Sequence, residues 1–148
     1  MAILAALKCG LKANKVFSKI KKIKPVHGRL ECITKLKNNS SIIVDFAHTP
    51  EALEKSLAAL KMQFKRKILL VFGCGGERDK SKRLKMGKIA YKYCRKIFIT
   101  DDNPRSENPE KIRKQIIKGC KKIAKNIGNR KKAIYEAIKE LRSNEILL

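Results

Sequence analysis

No CxxC pair occurs in the sequence, and only two histidines, His27 and His48, are present. Five cysteines are scattered at positions 9, 32, 74, 94 and 120. That odd, dispersed set excludes a disulfide framework and makes a poor zinc site, so no metal site is expected. The thiols read as reduced and structural, in a cytoplasmic protein. Long apolar runs are lacking too. The longest, "ILLVF" at 68–72 and "SIIVDF" at 41–46, are far too short to span a bilayer. The opening "MAILAALKCGLK" has no basic segment ahead of its short apolar run, which speaks against a secretory signal. Acids are scarce, 13 against 37 lysines and arginines, for a formal charge of +24.

So positive a chain attracts polyanions non-specifically, and salt weakens that attraction. Its 28 lysines and 9 arginines are spread from Lys8 to Arg142, however, with no basic arm. No RRM, KH, zinc-finger or basic-zipper pattern interleaves them. Solvated lysine-rich faces account for the charge, and a basic nucleic-acid-binding module is retained as a second reading. At 148 residues, 43% of them hydrophobic, the chain has the size of one soluble domain.

Along the chain, Ile3, Leu4, Leu7 and Leu11 give a helical stripe, with a second short helix near Val16 to Ile23. Pro25 and Gly28 in "KPVHGR" mark a boundary. "LECITKL" and "SIIVDF" read as strands. Pro50 opens a helix with Thr49 as N-cap and Ala52, Leu53, Leu57 and Leu60 on its apolar face. "KILLVF", a helix over "LKMGKIAYKYC", strand "KIFIT", a lysine-rich helix over 108–127, a helix over "RKKAIYEAIKEL" and a last strand beginning at "EILL" follow. Strands alternating with helices predict a mostly parallel α/β sheet, with ligands gathering beyond the carboxyl ends of its strands.

Three polar loops fall at those ends. "GCGGERDKSKR" offers Gly73, Gly75 and Gly76 for a tight turn with amides facing a ligand, and Arg78 behind them. It matches neither GxGxxG nor a Walker A loop, so a plain strand-to-helix turn is as good a reading. In "TDDNPR", two of the few acids stand beside an arginine. Asp102 can accept from an ammonium, Asn103 can donate and accept, and Arg105 can clamp a carboxylate, while Pro104 limits where they point. A solvated helix-capping turn is the alternative. Taken together, Arg78, Arg105 and Asp102 suit a small zwitterion, an amino acid. In "VDFAHTP", Asp45 can meet ribose hydroxyls and His48 can stack or hydrogen-bond, or both merely satisfy the turn. Arg29 follows Gly28 at the segment boundary.

These loops with "GRLE", "VDFAHTPEALEKSLAAL", "VFGCGGERDKSKRLKMGKIA" and "TDDNPRSENPEKIRKQI" resemble the C-terminal part of the UDP-N-acetylmuramoyl-tripeptide synthetases. These are Mur ligases that add the third residue of the peptidoglycan peptide. The resemblance covers almost the whole chain, and its DNPR tetrad resembles the form that selects meso-diaminopimelate. It implies a Rossmann-like, three-layer αβα domain over residues 27–148, expected to lack its last strands. Residues 1–26 are expected to be the tail of a central ATPase domain and a hinge.

What the resemblance implies chemically is an ATP-dependent ligase. A carboxylate of UDP-MurNAc-L-Ala-D-Glu becomes an acyl phosphate, and the amine of meso-diaminopimelate displaces phosphate. By match, Arg78, Asp102, Asn103, Pro104 and Arg105 hold meso-diaminopimelate, while Arg29, Asp45 and His48 meet the nucleotide. The family's GTNGKT phosphate loop and magnesium ligands have no counterpart in this sequence, nor has its GKGHE segment. ATP and Mg2+ therefore belong to the complete ligase. No catalytic residue is assigned here, and the chain alone is not expected to catalyse. A complementary protein fragment is its expected partner, and no membrane is.

Overall fold

The computed structural model describes residues 2–20, 22 and 26–148. Two short helices come first, α1 (Ala2–Lys8) and α2 (Ala13–Ile20). The expected second helix is thus shifted towards the N-terminus, and its forecast end at Ile23, like Pro25, lies outside the described residues. Gly28 then takes a left-handed φ of +66°, a turn glycine adopts without strain. Strand β1 (Glu31–Lys35) follows and pairs antiparallel with β2 (Ser41–Val44).

Helix α3 (Pro50–Phe64) begins as the sequence predicts: Pro50 occupies its first turn, and the Thr49 hydroxyl accepts from Ala52 N at 3.2 Å. Such a cap stabilises by about 1 kcal/mol. Next come β3 (Ile68–Phe72), α4 (Ser81–Tyr93), β4 (Lys96–Ile99) and α5 (Pro109–Cys120). Helix α4 starts three residues earlier than expected.

The lysine-rich helix forecast over 108–127 is cut short. It ends at Cys120, a 3₁₀ turn covers Lys121–Ile123, and β5 (Ala124–Asn126) follows. Lys121, at φ +50° and ψ −143°, turns the chain out of the helix. Three residues of "AKN" carry little strand propensity; parallel pairing of Ile97–Ile99 with Ala124–Asn126 makes them a strand. The chain then forms α6 (Arg130–Lys139) and β6 (Ile146–Leu147).

The sheet order is β1-β2-β6-β3-β4-β5, parallel everywhere except at β1–β2. Strand β6 therefore fills the middle of the sheet. β1 and β5 are the outer strands. Glu145, 4% exposed, fixes the entry to β6 by accepting from Arg95 Nε at 2.8 Å and Arg95 Nη2 at 2.7 Å.

Alternation along the central strands supplies two cores. Ile68, Leu70 and Phe72 of β3, with Ile97 and Ile99 of β4, pack under α3, α4 and α5. Leu69 and Phe98, from the same strands, meet Ala133 and Ala137 of α6 on the other face. Both faces are covered, as a parallel sheet requires. Helices α4 and α5 cross at Gly87 and Gly119, where a Cβ on Gly87 would lie 2.2 Å from Ile116 O. Cys74, Cys94 and Cys120 are buried and unpaired, and burial pushes the Cys74 thiol up to about 11 and the Cys120 thiol to about 12. Those thiols are structural. No helix among the described residues is long and apolar enough to cross a membrane.

Candidate functional site

The carboxyl ends of β2, β3 and β4 open onto one cleft of about 760 Å³. Asp45, His48, Arg78, Asp102, Asn103 and Arg105 all line it, so the three polar loops converge as their strand-end positions require. Leu53, Leu70, Val71, Phe72 and Leu148 form its apolar part. Pro104 and Arg29 are not in the wall. Pro104 lies behind it, where a Cβ on Gly76 would come within 1.9 Å of its carbonyl oxygen. Arg29 stands over the Phe46 ring, 4.6 Å from the centroid, and Phe46 lines the cleft. Arg29 is thus coupled to the site through an aromatic ring.

The two loops after β3 and β4 are locked to each other. Gly76 N donates to Asn103 O at 2.8 Å, and Arg105 Nη1 donates to Gly76 O at 2.7 Å. Glu77 N donates to Glu107 Oε1 at 2.6 Å. The amides of Gly76 and Glu77 therefore hold the neighbouring loop, and of the two readings the sequence left open for this turn they favour the structural one. Gly76 is needed for close approach of two backbones rather than for an unusual φ. Arg105, at φ +51°, keeps its peptide N–H on Asn103 Oδ1 at 3.3 Å.

Arg83 is the buried anchor of this arrangement. Its side chain is 0% exposed, and Nη1 and Nη2 donate to Glu107 at 2.9 and 2.8 Å. Nη1 also reaches Gln115 Oε1 at 2.7 Å and Nη2 the Gly75 carbonyl at 3.3 Å. The hydrogen bonds from Arg83, with the one from Glu77 N, hold the Glu107 carboxyl at about 2, well below its ordinary 4.5. Glu107 in turn raises the Arg83 pKa against the opposing effect of burial.

The adjacent acids divide their labour. Asp101 is ion-paired to Arg113, and its N–H donates to Gly128 O at 3.0 Å, which fastens the end of β4 to the segment after β5. Asp102 instead lines the cleft. Alternation along an extended chain sends neighbouring side chains to opposite sides. Asp45 has both oxygens engaged, Oδ1 accepting from Leu30 N at 3.0 Å and Oδ2 from Ser56 Oγ at 2.5 Å. His48 lies edge-on to Phe46 with centroids 5.4 Å apart, and Nδ1 is 3.2 Å from Phe46 O.

Three side chains in the wall went unassigned from sequence: Phe46, Lys82 and Arg130. Lys82 Nζ donates to His48 O at 3.0 Å, tying α4 to the loop after β2. Arg130 begins α6, directly after its N-cap Asn129. A cation at a helix N-terminus opposes the macrodipole. That mismatch, three residues long in "RKK", was the available signal.

A family model described as Mur ligase, glutamate ligase domain, matches residues 28–148. The chain belongs to the Mur ligase family. Curated relatives of this Mur ligase domain include the UDP-N-acetylmuramoyl-L-alanyl-D-glutamate–2,6-diaminopimelate ligases of Rickettsia felis and Rickettsia conorii. They are 44% and 46% identical over 151 aligned positions, which take in 100% of this chain but 28% and 31% of theirs. The same-named ligase of Zymomonas mobilis is 44% identical over 85% of this chain and 26% of its own. The chain thus spans under a third of the length of these relatives. A solved ligase of that name superposes with a TM-score of 0.74 at 31% identity, covering 99% of this chain and 30% of that one. A UDP-N-acetylmuramate–alanine ligase from Thermotoga maritima superposes with a TM-score of 0.74 at 20% identity, over 99% of this chain and 31% of its own, which speaks for the fold alone.

Among the described residues, no group of three or more His, Cys, Asp or Glu side chains is placed to hold a metal ion.

Proposed function

We propose that this chain is the amino-acid-binding part of an ATP-dependent ligase that joins meso-diaminopimelate to UDP-MurNAc-L-Ala-D-Glu in the cytoplasm. One observation carries the reading: Arg78, Asp102, Asn103 and Arg105 converge on a single cleft, in a chain whose relatives are named for 2,6-diaminopimelate. Two guanidinium groups match carboxylate geometry, and Asp102 supplies the opposite charge for an ammonium. Pro104 acts through the backbone contact with Gly76 that sets the spacing of the two loops.

In the complete reaction, the terminal carboxylate of the dipeptide takes the γ-phosphoryl group of ATP, giving an acyl phosphate and ADP. The amine of the diamino acid then attacks the acyl carbon, phosphate departs with the bonding electrons, the amine proton is lost and an amide forms. This domain binds and orients the amine donor. Arg29, Asp45 and His48 face the nucleotide from the loop after β2 and the boundary before β1, residues 1–26 forming the tail of the ATPase domain and the hinge. ATP and Mg2+ act in the complete ligase, and the reading assigns no metal ligand to the described residues. The phosphate-binding loop lies outside this chain, which is catalytic only with a complementary part. The basic nucleic-acid module finds no favouring observation in the fold or the comparisons.

Isothermal titration of the 148-residue chain with meso-diaminopimelate tests the reading. Binding to the unaltered chain, and an affinity loss on the order of ten- to a hundredfold in Arg105→Ala, are expected for a charged hydrogen-bonding partner. Absence of binding to the unaltered chain sinks it.

A further inference from the structure

Of the four cations in the cleft wall, Arg78, Arg105 and Arg130 are exposed and Lys82 is half-buried. Lys82 belongs to the first turn of α4, just after the loop that carries Arg78. Its Nζ nevertheless donates to His48 O at 3.0 Å, in the loop after β2. One side chain therefore spans from the loops assigned to the amine donor to the loop assigned to the nucleotide.

That contact leaves the ammonium underused. A carbonyl is neutral and takes one of its three N–H donors. Among the described residues Lys82 forms no ion pair. The first turn of α4 holds no acid either, so Lys82 adds to the positive end of the helix instead of opposing it. Drawing an ammonium partly out of water without an anion costs free energy, and an arriving anion would recover it.

The proposed reaction supplies one species that must lie between the two halves of the cleft. The acyl phosphate takes its phosphoryl group from the nucleotide and is attacked by the amine, so it meets both. The electron pair of the amine forms the C–N bond. The C–O bond to phosphate then breaks, its electron pair leaves on the phosphate oxygen, and the amine proton passes to water. Negative charge thus grows on the phosphate as the step proceeds. A fixed ammonium aimed there stabilises the transition state more than the ground state. Lysine suits this task as a compact point charge that demands no planar fit.

We propose that Lys82 is a catalytic residue that binds the departing phosphate and stabilises the charge developing on it, keeping its own proton. This inference rests on the proposed function and deepens it, since it gives the amine-donor domain a direct contact with the leaving group.

Titration with inorganic phosphate, followed by phosphorus NMR on the chain saturated with meso-diaminopimelate, tests it. Thermal unfolding is run alongside. In Lys82→Met, phosphate affinity should fall on the order of tenfold while that for meso-diaminopimelate stays within about threefold. Lys82→Arg, which keeps the charge, should recover part of the loss. Lys88→Met, which removes an exposed lysine of α4 outside the cleft wall, should leave phosphate affinity within about twofold at 0.15 M salt, where distant charges are screened. Equal losses in Lys82→Met and Lys88→Met would mean a diffuse attraction to a basic protein. Parallel losses of phosphate and meso-diaminopimelate in Lys82→Met would mean that Lys82 only props the cleft. Either result, or no phosphate binding to the saturated unaltered chain, overturns the role of Lys82 and leaves the proposed function standing. If the unaltered chain does not bind meso-diaminopimelate, the proposed function falls and this inference with it.

Discussion

Two arginine–carboxylate clusters serve the same pair of loops, one of them reaching in from the first turn of α4, and have opposite fates. Arg83 and Glu107 close on each other at 2.8 Å, with the arginine side chain 0% exposed. Arg78, Asp102 and Arg105 stand exposed on the cleft a few residues away. Both clusters are made of the same residue types, so chemistry alone does not separate them. Depth does. A buried guanidinium must be neutralised by its own protein, and Arg83 has Glu107, Gln115 and the Gly75 carbonyl for that purpose. The exposed cluster faces water and remains free to meet a guest. The inner pair fixes the spacing that the outer cluster needs.

Breaking the inner pair should have the largest effect. Arg83→Met keeps the apolar stem but leaves the Glu107 carboxylate without its buried partner. Thermal unfolding followed by circular dichroism should show a fall of several degrees, and affinity for meso-diaminopimelate should drop with it, since both loops lose their anchor. An unchanged melting temperature would remove Arg83 from its structural role.

An intermediate effect follows from pH. The folded carboxyl of Glu107 lies at about 2, below its ordinary 4.5. Its contribution to stability is therefore complete above pH 4.5 and is lost progressively as pH falls from there towards 2. Urea unfolding between pH 6 and 2.5, about the range in which this carboxyl gains its proton, should show the unaltered protein losing stability more steeply than Arg83→Met. The gap between the two should narrow as the pH drops, and parallel curves would contradict the pairing.

The smallest effect on the fold is expected in the outer cluster. Arg78→Ala should change stability by no more than about 0.5 kcal/mol, as surface substitutions do, while weakening meso-diaminopimelate binding on the order of tenfold. A large loss of stability would mean that the two clusters are not distinct.

Some of this contrast was legible in the sequence. The placement of Asp45, Arg78 and Asp102 after β-prone runs predicted that they would share one end of a sheet, because a parallel α/β sheet delivers its strand ends together. Thr49 and Pro50 announced the start of α3. The role of the glycine loop was left open by the sequence: its amides at Gly76 and Glu77 serve the facing loop, a contact between residues about thirty positions apart. Strand β5 was invisible for the same reason, since "AKN" becomes a strand only by pairing with β4.

The sequence by itself determined the alternation of strands and helices, the capped start of α3 and the loops that carry charge. These depend on periodicity and on side chains acting within a few residues of their own backbone. Tertiary structure alone decided that β6 enters the centre of the sheet, that Asp101 turns to Arg113 while Asp102 turns to the cleft, and that Arg130 joins the wall. Each of those outcomes depends on burial or on a partner distant in the chain, and neither is written in a local stretch of residues.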